Sequence, residues 1–177
     1  QLKPQGVEGN IFTYHVRQLI GLGYVVKGDG GEYELTAAGK VYVDRLSGTN
    51  LLPRIQPKII TLIACRNEEG EWLVFRRRRQ PLLGKVGFVY GKIHEGERIA
   101  DAARRELKEK TGLQAQLEHR GDGYITMTEA GQVVSQVMFH LFIGMAPHGE
   151  LQPTASGEAF WMNHAAFGRP DVMPSMP

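Results

Sequence analysis

The sequence predicts an α/β protein in which a small α+β module precedes a larger α/β domain. Two β-rich stretches, each interrupted by a glycine turn, predict hairpins around residues 29–31 and 129–131. Residues 59–64 form a nearly continuous apolar run, which is typical of a strand buried on both faces. With 177 residues, of which 42% are apolar, the chain can form one medium domain or a small domain plus a compact one.

Composition and charge give no sign of a membrane protein, a secreted protein or a strongly basic protein. The net charge of +2 does not argue for binding to nucleic acid or to an acidic membrane surface. No apolar run approaches the roughly 18 residues of a membrane span, and no signal peptide is visible. Cys65 is the single cysteine, which excludes a disulfide within the chain and fits the cytoplasm. Because the chain begins with Gln1, we expect that its natural N-terminus is missing.

Residues 1–50 predict a helix, a hairpin and a second helix. The first helix is expected over residues 10–22, with Asn10 as its N-cap and a glycine-rich end. Two short strands flank the glycine turn at residues 29–31. Thr36 is expected to cap the second helix, which ends near residue 46.

A segment rich in Gly, Pro and Asn predicts a linker over residues 51–57, between the module of residues 1–50 and an α/β domain of residues 58–177. In that domain we expect strands over 58–66 and 71–77, a loop or short strand over 84–91, a charged helix, a hairpin formed by 124–127 and 132–145, and a last strand over 160–162. The Pro-rich end, from residue 168, is expected to be loose or cut short.

The charged helix, residues 97–112, carries the most informative chemistry. Glu106, Glu109 and Lys110 fall at i, i+3 and i+4, so their side chains share one helical face. Two carboxylates on one face are a suitable seat for a hard divalent cation such as Mg²⁺. Lys110 is expected to weaken that site, or to fill it by pairing with Glu106 one turn back. The alternative is an ordinary surface helix with i,i+4 ion pairs.

Residues 91–113 resemble the signature of the Nudix hydrolases. That signature is a Gly, five residues, a Glu, seven residues, and then Arg-Glu-apolar-any-Glu-Glu-any-Gly-apolar. The chain matches it with Gly91, Glu97 and the run from Arg105 to Leu113, except that Lys110 stands where the family has a glutamate. The resemblance extends from residue 58 to the C-terminus and implies a Nudix-type α/β/α sandwich with a mixed sheet.

The resemblance also implies catalytic roles for Glu106, Glu109, Arg105 and Glu97. Glu106 and Glu109 match glutamates that hold the metal, Mg²⁺ or Mn²⁺, and the one matching Glu106 is also discussed as a base. Arg105 is expected to clamp Glu97 and to fix the loop that enters the helix. Lys110 replaces a principal ligand, so metal binding is expected to be weakened, or absent if the ammonium fills the site.

A carboxylate from elsewhere in the chain is a further candidate metal ligand. Glu158 comes shortly before the strand that contains Trp161, where related enzymes can draw a catalytic carboxylate from a loop. Glu95 and Glu97 are the other carboxylates considered for the same substitution.

Substrate contacts are expected from a basic run and from the residues that precede the helix. Alternate members of the run at 76–79 face opposite sides of a strand, so Arg77 and Arg79 are candidates for binding substrate phosphates. A solvated edge strand is the alternative. Tyr90 is expected to stack on a base or simply to pack, and Gly91 lets the backbone turn sharply.

The remaining candidates for metal ligation or reactivity are expected to be structural. Cys65 is predicted to be an inert core residue. The histidines show no metal-ligand spacing and are expected to be structural or surface residues: His94, His119, His140, His148 and His164.

Residues 12–46 resemble the recognition helix, wing and following helix of winged helix-turn-helix domains. The resemblance implies that one helix enters the major groove while the hairpin contacts the DNA backbone. The candidates to face DNA are Thr13, Tyr14, Arg17 and Gln18 on the helix and Lys27 on the wing. Residues 1–50 carry five basic and five acidic residues, whereas a DNA-binding surface needs excess positive charge. DNA binding and a protein-interaction or dimerisation role therefore both stay open.

Two functions follow from these patterns. The first is metal-dependent cleavage of the pyrophosphate in a nucleoside diphosphate linked to another moiety. The second is a catalytically degenerate Nudix domain that senses a nucleotide or sugar nucleotide, and regulates transcription or a partner through the winged-helix module. The near-complete signature favours the first function, and Lys110 together with the fusion favours the second. Dimers are common in similar proteins, so a homodimer is a candidate assembly, although the sequence does not give the oligomeric state.

Overall fold

The structure is a computed structural model that describes residues 6–50, 52–53, 56–80 and 82–176. The chain divides into two compact units, Gln1–Ile55 and Gln56–Pro177, which we call the N-terminal unit and the C-terminal unit. The linker predicted over residues 51–57 includes residues 51, 54 and 55, which lie outside the described residues. In the described part of the chain, no helix is both long and apolar enough to cross a membrane.

The N-terminal unit has the expected order of helix, hairpin and helix. Its elements are α1 (Gly9–Gly21), β1 (Val25–Lys27), β2 (Tyr33–Leu35) and α2 (Ala37–Asp44). Thr36 caps α2 as predicted, since the N–H of Gly39 donates to its Oγ1 at 3.1 Å. The predicted N-cap of α1 is wrong, because the helix begins at Gly9 and Asn10 lies inside its first turn.

Little of the N-terminal unit is buried. Gly39 is the only buried residue within 6–50 and 52–53. It lies against the backbone carbonyl of Tyr24, where a Cβ would overlap with the oxygen, so the close approach of α2 to the hairpin requires glycine. Many large apolar side chains in and beside the two helices stay exposed: Ile11, Leu19, Ile20, Leu22, Val41, Tyr42 and Val43.

The C-terminal unit is built on a six-stranded sheet with the order β6-β7-β3-β5-β4-β8. β3 and β7 run parallel, and the other neighbours are antiparallel, so the sheet is mixed, as predicted. Its strands are β3 (Lys58–Cys65), β4 (Trp72–Arg77), β5 (Val86–Lys92), β6 (Gln114–Glu129), β7 (Gln132–His148) and β8 (Gly157–Met162). Helix α3 (Ile99–Thr111) connects β5 to β6 and packs on one face of the sheet.

Apolar side chains cover both faces of this sheet. The face under α3, which we call the α3 face, contributes Ile63, Leu73, Phe75, Val89 and Phe142 to one core with Ala103 and Leu107 of the helix. The opposite face carries a second cluster formed by Val74, Val86, Met162, Val172 and Met176. The expectation of a loose C-terminal end is wrong for its described residues, because Val172 and Met176 are buried in this cluster.

The hairpin of β6 and β7 is longer than predicted. β6 is an edge strand, and most of its residues are exposed. Ala115 and Leu117 alternate with polar residues, but residues 118–123 are all polar or glycine and interrupt the pattern that predicts a strand. A bulge interrupts its pairing with β7: His119 pairs with Phe142 and Gly121 with Leu141, which leaves Arg120 as an extra residue. The segment expected as a loop or a short strand is the strand β5.

A row of paired residues crosses the α3 face. Asp122 of β6 pairs with His140 of β7, His140 with Thr61 of β3, and Thr61 with Gly91 of β5. His140 lies two residues from Phe142, a core residue of the same face, so the row belongs to the α3 face. Thr61 is fully buried, and its hydroxyl has no hydrogen-bond partner among the described residues.

Candidate active site

Helix α3 holds the signature residues against β5. Its Ala102, Ala103 and Leu107 are buried, which fixes the rotation of the helix on the sheet. The helix ends as predicted at Gly112, which has φ +80° and donates its N–H to the carbonyl of Lys108 at 2.9 Å. Glycine adopts this left-handed conformation at little cost, so the residue sets the end of the helix.

The loop that enters α3 is fixed by a bidentate ion pair between Arg105 and Glu97. Nε of Arg105 donates to Oε1 of Glu97 at 2.7 Å, and Nη2 donates to Oε2 at 2.8 Å. Nη2 also donates to the carbonyl of Lys92, and the N–H of His94 donates to Glu97 Oε2, each at 3.0 Å. These donors lower the pKa of Glu97 from its ordinary value of 4.5 to about 2, with the Arg105 hydrogen bonds as the largest cause.

Glu106 is the carboxylate nearest to the sheet and is 7% exposed. It contacts β5 at Gly91, where a Cβ would overlap with the carboxylate, so this close approach requires glycine. Oε1 accepts from Arg105 Nη1 at 2.8 Å, and Oε2 lies 3.2 Å from Lys110 Nζ. Glu109 is far more exposed, and one of its oxygens lies 3.3 Å from the same Arg105 nitrogen. Both predicted metal ligands are therefore paired with cations.

The Lys110 ammonium occupies the space beside Glu106. Its Nζ donates to the backbone carbonyl of Tyr90 and lies 4.4 Å from the centre of the Tyr90 ring. The centre of the Phe75 ring lies 5.9 Å from the same nitrogen. Burial lowers the pKa of Lys110, and the neighbouring Glu106 carboxylate opposes this effect. The lysine side chain is only 19% exposed, so its charge is held inside the site.

These side chains do not fit a Mg²⁺ ion between Glu106 and Glu109. Mg²⁺ requires oxygen ligands in near-octahedral geometry. Lys110 offers only N–H donors, and it repels a cation at this position. One Glu106 oxygen is paired with Arg105 and the other with Lys110, so a metal would have to break a largely buried ion pair to gain a ligand.

The predicted substrate-binding residues are only partly brought together. The Arg77 guanidinium lies 5.0 Å from the centre of the Tyr90 ring. Burial raises the pKa of Tyr90, and Arg77 partly offsets the shift. Arg77, Tyr90 and Gly91 thus lie beside Lys110, whereas Arg79 lies beyond the end of β4 and is exposed.

Glu158 does not lie at this site. It pairs across β8 and β4 with Arg76, which is one residue from Arg77 and therefore points to the opposite face of the sheet. Its carboxylate lies 3.6 Å from Arg76 Nε and 3.0 Å from Arg78 Nη2. The prediction of Glu158 as an extra metal ligand is wrong, because the strand register turns it away from Glu106.

A cluster that the sequence did not predict lies elsewhere on the α3 face. Asp122 Oδ1 is 2.9 Å from His119 Nε2 and 2.6 Å from His140 Nδ1. Sequence spacing predicts His119 and His140 as structural or surface residues, and it does not predict that both contact one carboxylate. The spacing of His119 and Asp122 gave little sign of the cluster, because residues three apart face opposite sides of a regular strand.

The residues predicted to face DNA are exposed on α1 and β1. Thr13 Oγ1 donates to the Gly9 carbonyl at 2.8 Å, and Gln18 Nε2 donates to the Tyr14 hydroxyl at 3.1 Å. Arg17 and Lys27 are exposed as well. These four helical positions and the strand position remain predicted DNA contacts.

One cavity of the C-terminal unit lies away from the signature carboxylates. Its volume is about 780 Å³, and it is lined mainly by the β3–β4 turn and by residues 146–151. Glu68, Glu69, Glu71 and Glu150 contribute to its lining, which gives it an acidic character that does not suit a phosphorylated ligand.

The mixed sheet, α3 and the ion pair of its entry loop together define a Nudix-type domain. Residues 56–176 match the sequence model of the NUDIX domain. The chain therefore belongs to the Nudix family. No match was found among curated protein sequences.

Solved structures show the same fold at low sequence identity. A MutT NUDIX hydrolase from Burkholderia pseudomallei is 20% identical, with a TM-score of 0.58 over 69% of this chain and 94% of that one. The NUDIX domain of Shewanella oneidensis NrtR, complexed with ADP ribose, is 18% identical, with a TM-score of 0.55 over 74% of this chain and 85% of that one. A bifunctional NMN adenylyltransferase/ADP ribose pyrophosphatase from Francisella tularensis is 16% identical, with a TM-score of 0.51 over 63% of this chain and 35% of that one.

Proposed function

We propose that the C-terminal unit binds a nucleoside diphosphate linked to another moiety, and hydrolyses it slowly or not at all. The observation that carries this proposal is the ion pair between Lys110 and the buried Glu106, whose charged atoms lie 3.2 Å apart. A divalent metal at Glu106 would compete with an ammonium that is already in place. Removing one partner of a buried ion pair costs about 3–5 kcal/mol, so this competition disfavours the metal.

The chemistry beside Lys110 supports a phosphorylated ligand with an aromatic base. Arg77 and Lys110 place two cations at the Tyr90 ring. A guanidinium group can bind two phosphate oxygens at once, and an aromatic ring can stack on a base. Two structural neighbours, the NrtR domain complexed with ADP ribose and the ADP ribose pyrophosphatase, make ADP ribose the first ligand to test.

The N-terminal unit would then report ligand binding to DNA or to a protein partner. Its exposed candidates on α1 and β1 suit the first role, and its exposed apolar side chains suit the second. A cytoplasmic location is part of the proposal, because a reducing compartment suits the lone cysteine.

Calorimetric titration and product analysis test the proposal together. The purified chain is titrated with ADP ribose and other nucleoside diphosphate derivatives, and each mixture is then incubated with Mg²⁺ or Mn²⁺. We expect at least one ligand to bind, with slow or no release of phosphorylated products. Turnover at about 1 s⁻¹ or faster, within the range of ordinary enzymes, would contradict the proposal.

Metal-dependent hydrolysis is the second candidate function. Two observations favour it: the Arg105–Glu97 pair is intact, and the Glu109 side chain is 60% exposed and accessible to a metal. In this case the exposed Glu109 would hold a metal that supplies charge neutralisation at the phosphate oxygens, and hydrolysis of the pyrophosphate would give two phosphorylated products. The product analysis described above distinguishes the two functions directly.

An electrophoretic shift of the protein's own upstream DNA tests the role of the N-terminal unit. Binding that weakens with salt and is lost in Arg17→Ala would support a DNA contact at α1. Arg45→Ala is the matched control, because Arg45 carries the same charge in the same unit and follows α2. A shift that is lost equally in both variants would instead indicate non-specific attraction by charge.

A further inference from the structure

His119, Asp122 and His140 converge on one point of the α3 face. One carboxylate oxygen of Asp122 lies within hydrogen-bond distance of a nitrogen from each imidazole, and the three potential ligand atoms all lie within 4.8 Å of one another. The two imidazole rings are 5.9 Å apart between centres. A metal ion bound at this point would take the place of the hydrogen-bonding protons between Asp122 and the two imidazoles.

The bulge in β6 brings two of these residues to the same face. His119 and Asp122 are three residues apart, and on a regular strand they would point to opposite sides of the sheet. Because Arg120 is the extra residue of the bulge, His119 lies opposite Phe142 while Asp122 lies opposite His140. Phe142 and His140 alternate on one face of β7, so His119 and Asp122 point to that face as well. Bulges commonly redirect side chains in this way beside functional sites.

Exposure of the three side chains suits a site with an open coordination position. The His140 side chain is 13% exposed and is the most buried of the three, whereas the His119 and Asp122 side chains are 47% and 46% exposed. Zinc sites with three protein ligands keep a position open for water or another ligand, and two histidines with a carboxylate form one of their common donor sets. Imidazole favours zinc over Mg²⁺, which prefers oxygen.

We propose that His119, Asp122 and His140 bind a Zn²⁺ ion, with the remaining coordination open to solvent. The site uses none of the signature side chains and is independent of the ion pair at Lys110. It shares the α3 face with Glu106: His140 and Gly91 lie in one row of paired residues, two strands apart, or about 10 Å between their backbones.

Zinc titration of the untagged full chain, with the metal alone and no nucleotide, tests this proposal. A chromophoric chelator as competitor measures stoichiometry and affinity, and we expect one zinc per chain that excess Mg²⁺ does not displace. Changes to groups that merely support zinc ligands already cost about 10- to 100-fold in affinity. We therefore expect loss of a ligand in His140→Ala or His119→Ala to cost about 100-fold or more.

Two controls keep the outcome interpretable. His148→Ala removes an exposed histidine of the same strand outside the cluster, and it should leave zinc affinity unchanged. Asp122→Asn keeps the size of the side chain and the exposed position, so it should fold normally and still lose most of the affinity. In the Co²⁺-substituted protein, the visible spectrum should change in each ligand variant but not in His148→Ala. Zinc affinity that is absent in the parent chain, or that survives both histidine changes, would overturn the proposal.

Discussion

The exchange Lys110→Glu should make the C-terminal unit dependent on a divalent metal. It restores the glutamate of the Nudix signature, and it replaces an ammonium that lies 3.2 Å from Glu106 Oε2 by a second carboxylate. Without metal, the new carboxylate at position 110 and the carboxylate of the largely buried Glu106 would repel each other. With metal, the oxygens of these two carboxylates would form the metal-binding site that the parent chain lacks.

The size of the effect follows from the charge separation. With an effective dielectric constant of about 20, two unit charges 3.2 Å apart interact by about 5 kcal/mol, before the cost of removing them from water is subtracted. Arg105 remains bonded to Glu106, so part of the lost stabilisation is retained. We therefore expect the metal-free variant to lose about 3 kcal/mol of folding free energy, at the low end for a broken buried pair. Mg²⁺ at about 100 times its Kd should restore about 2.7 kcal/mol.

Urea unfolding with and without Mg²⁺ measures both quantities, and product analysis with ADP ribose measures activity. Lys110→Met is the matched control, since it keeps the chain length and apolar stem, removes the positive charge and adds no ligand. We expect a Mg²⁺ response only in Lys110→Glu. Its metal-dependent turnover should exceed that of the parent by about 100-fold or more, the scale of one electrostatic contact in an active site.

Equal stabilisation of the parent chain and of Lys110→Glu by Mg²⁺ would refute the proposed competition between Lys110 and a metal. Equal responses of Lys110→Met and Lys110→Glu would refute it as well, because the response would then come from removing the lysine and not from adding a ligand. A parent chain that already turns over ADP ribose as fast as the variant would show that the ion pair does not limit hydrolysis.

Three further predictions concern other residues of the C-terminal unit. Because Arg105 lowers the pKa of Glu97 to about 2, the stabilising effect of this carboxylate is fully present above about pH 4.5 and is lost as the pH falls toward 2. In urea unfolding, Glu97→Gln should therefore reduce the loss of unfolding free energy between these pH values. The same dependence on pH in both proteins would contradict the assignment. Arg77→Ala should weaken binding of the nucleotide ligand by about 10- to 100-fold in calorimetry, the cost of a hydrogen bond to a charged group, whereas the exposed Arg78→Ala should not. Thr61→Val should raise the free energy of unfolding by about 1 kcal/mol, since it removes an unpaired buried hydroxyl; a clear loss of stability would show that the hydroxyl is satisfied.

Local patterns were sufficient to predict the parts of the structure that depend on neighbouring residues. The apolar run of β3 and the cap at Thr36 are local, and so is the end of α3 at Gly112. The pairing of Lys110 with Glu106 was also expected, because i,i+4 side chains meet on any helix. Helical periodicity therefore gave the arrangement of the charged face before any tertiary contact was known.

Features that depend on strand register were missed or predicted wrongly. Glu158 points away from α3 because β8 pairs with β4 in a register that no local pattern specifies. The cluster of His119, Asp122 and His140 needs both the pairing of β6 with β7 and the bulge at Arg120. Long-range pairing decides which face a strand residue occupies, so a one-residue irregularity reverses a prediction based on alternation.

The exposed apolar surface of the N-terminal unit has a consequence for unfolding. A unit with only Gly39 buried among its described residues gains little stability from its own core, whereas the C-terminal unit has two apolar clusters. Local opening free energies are lowest where few apolar contacts are buried. The chain is therefore expected to unfold in two steps, with the described residues 6–50 of the N-terminal unit becoming sensitive to protease first. Stabilisation by zinc or a nucleotide should appear only in the later, cooperative transition.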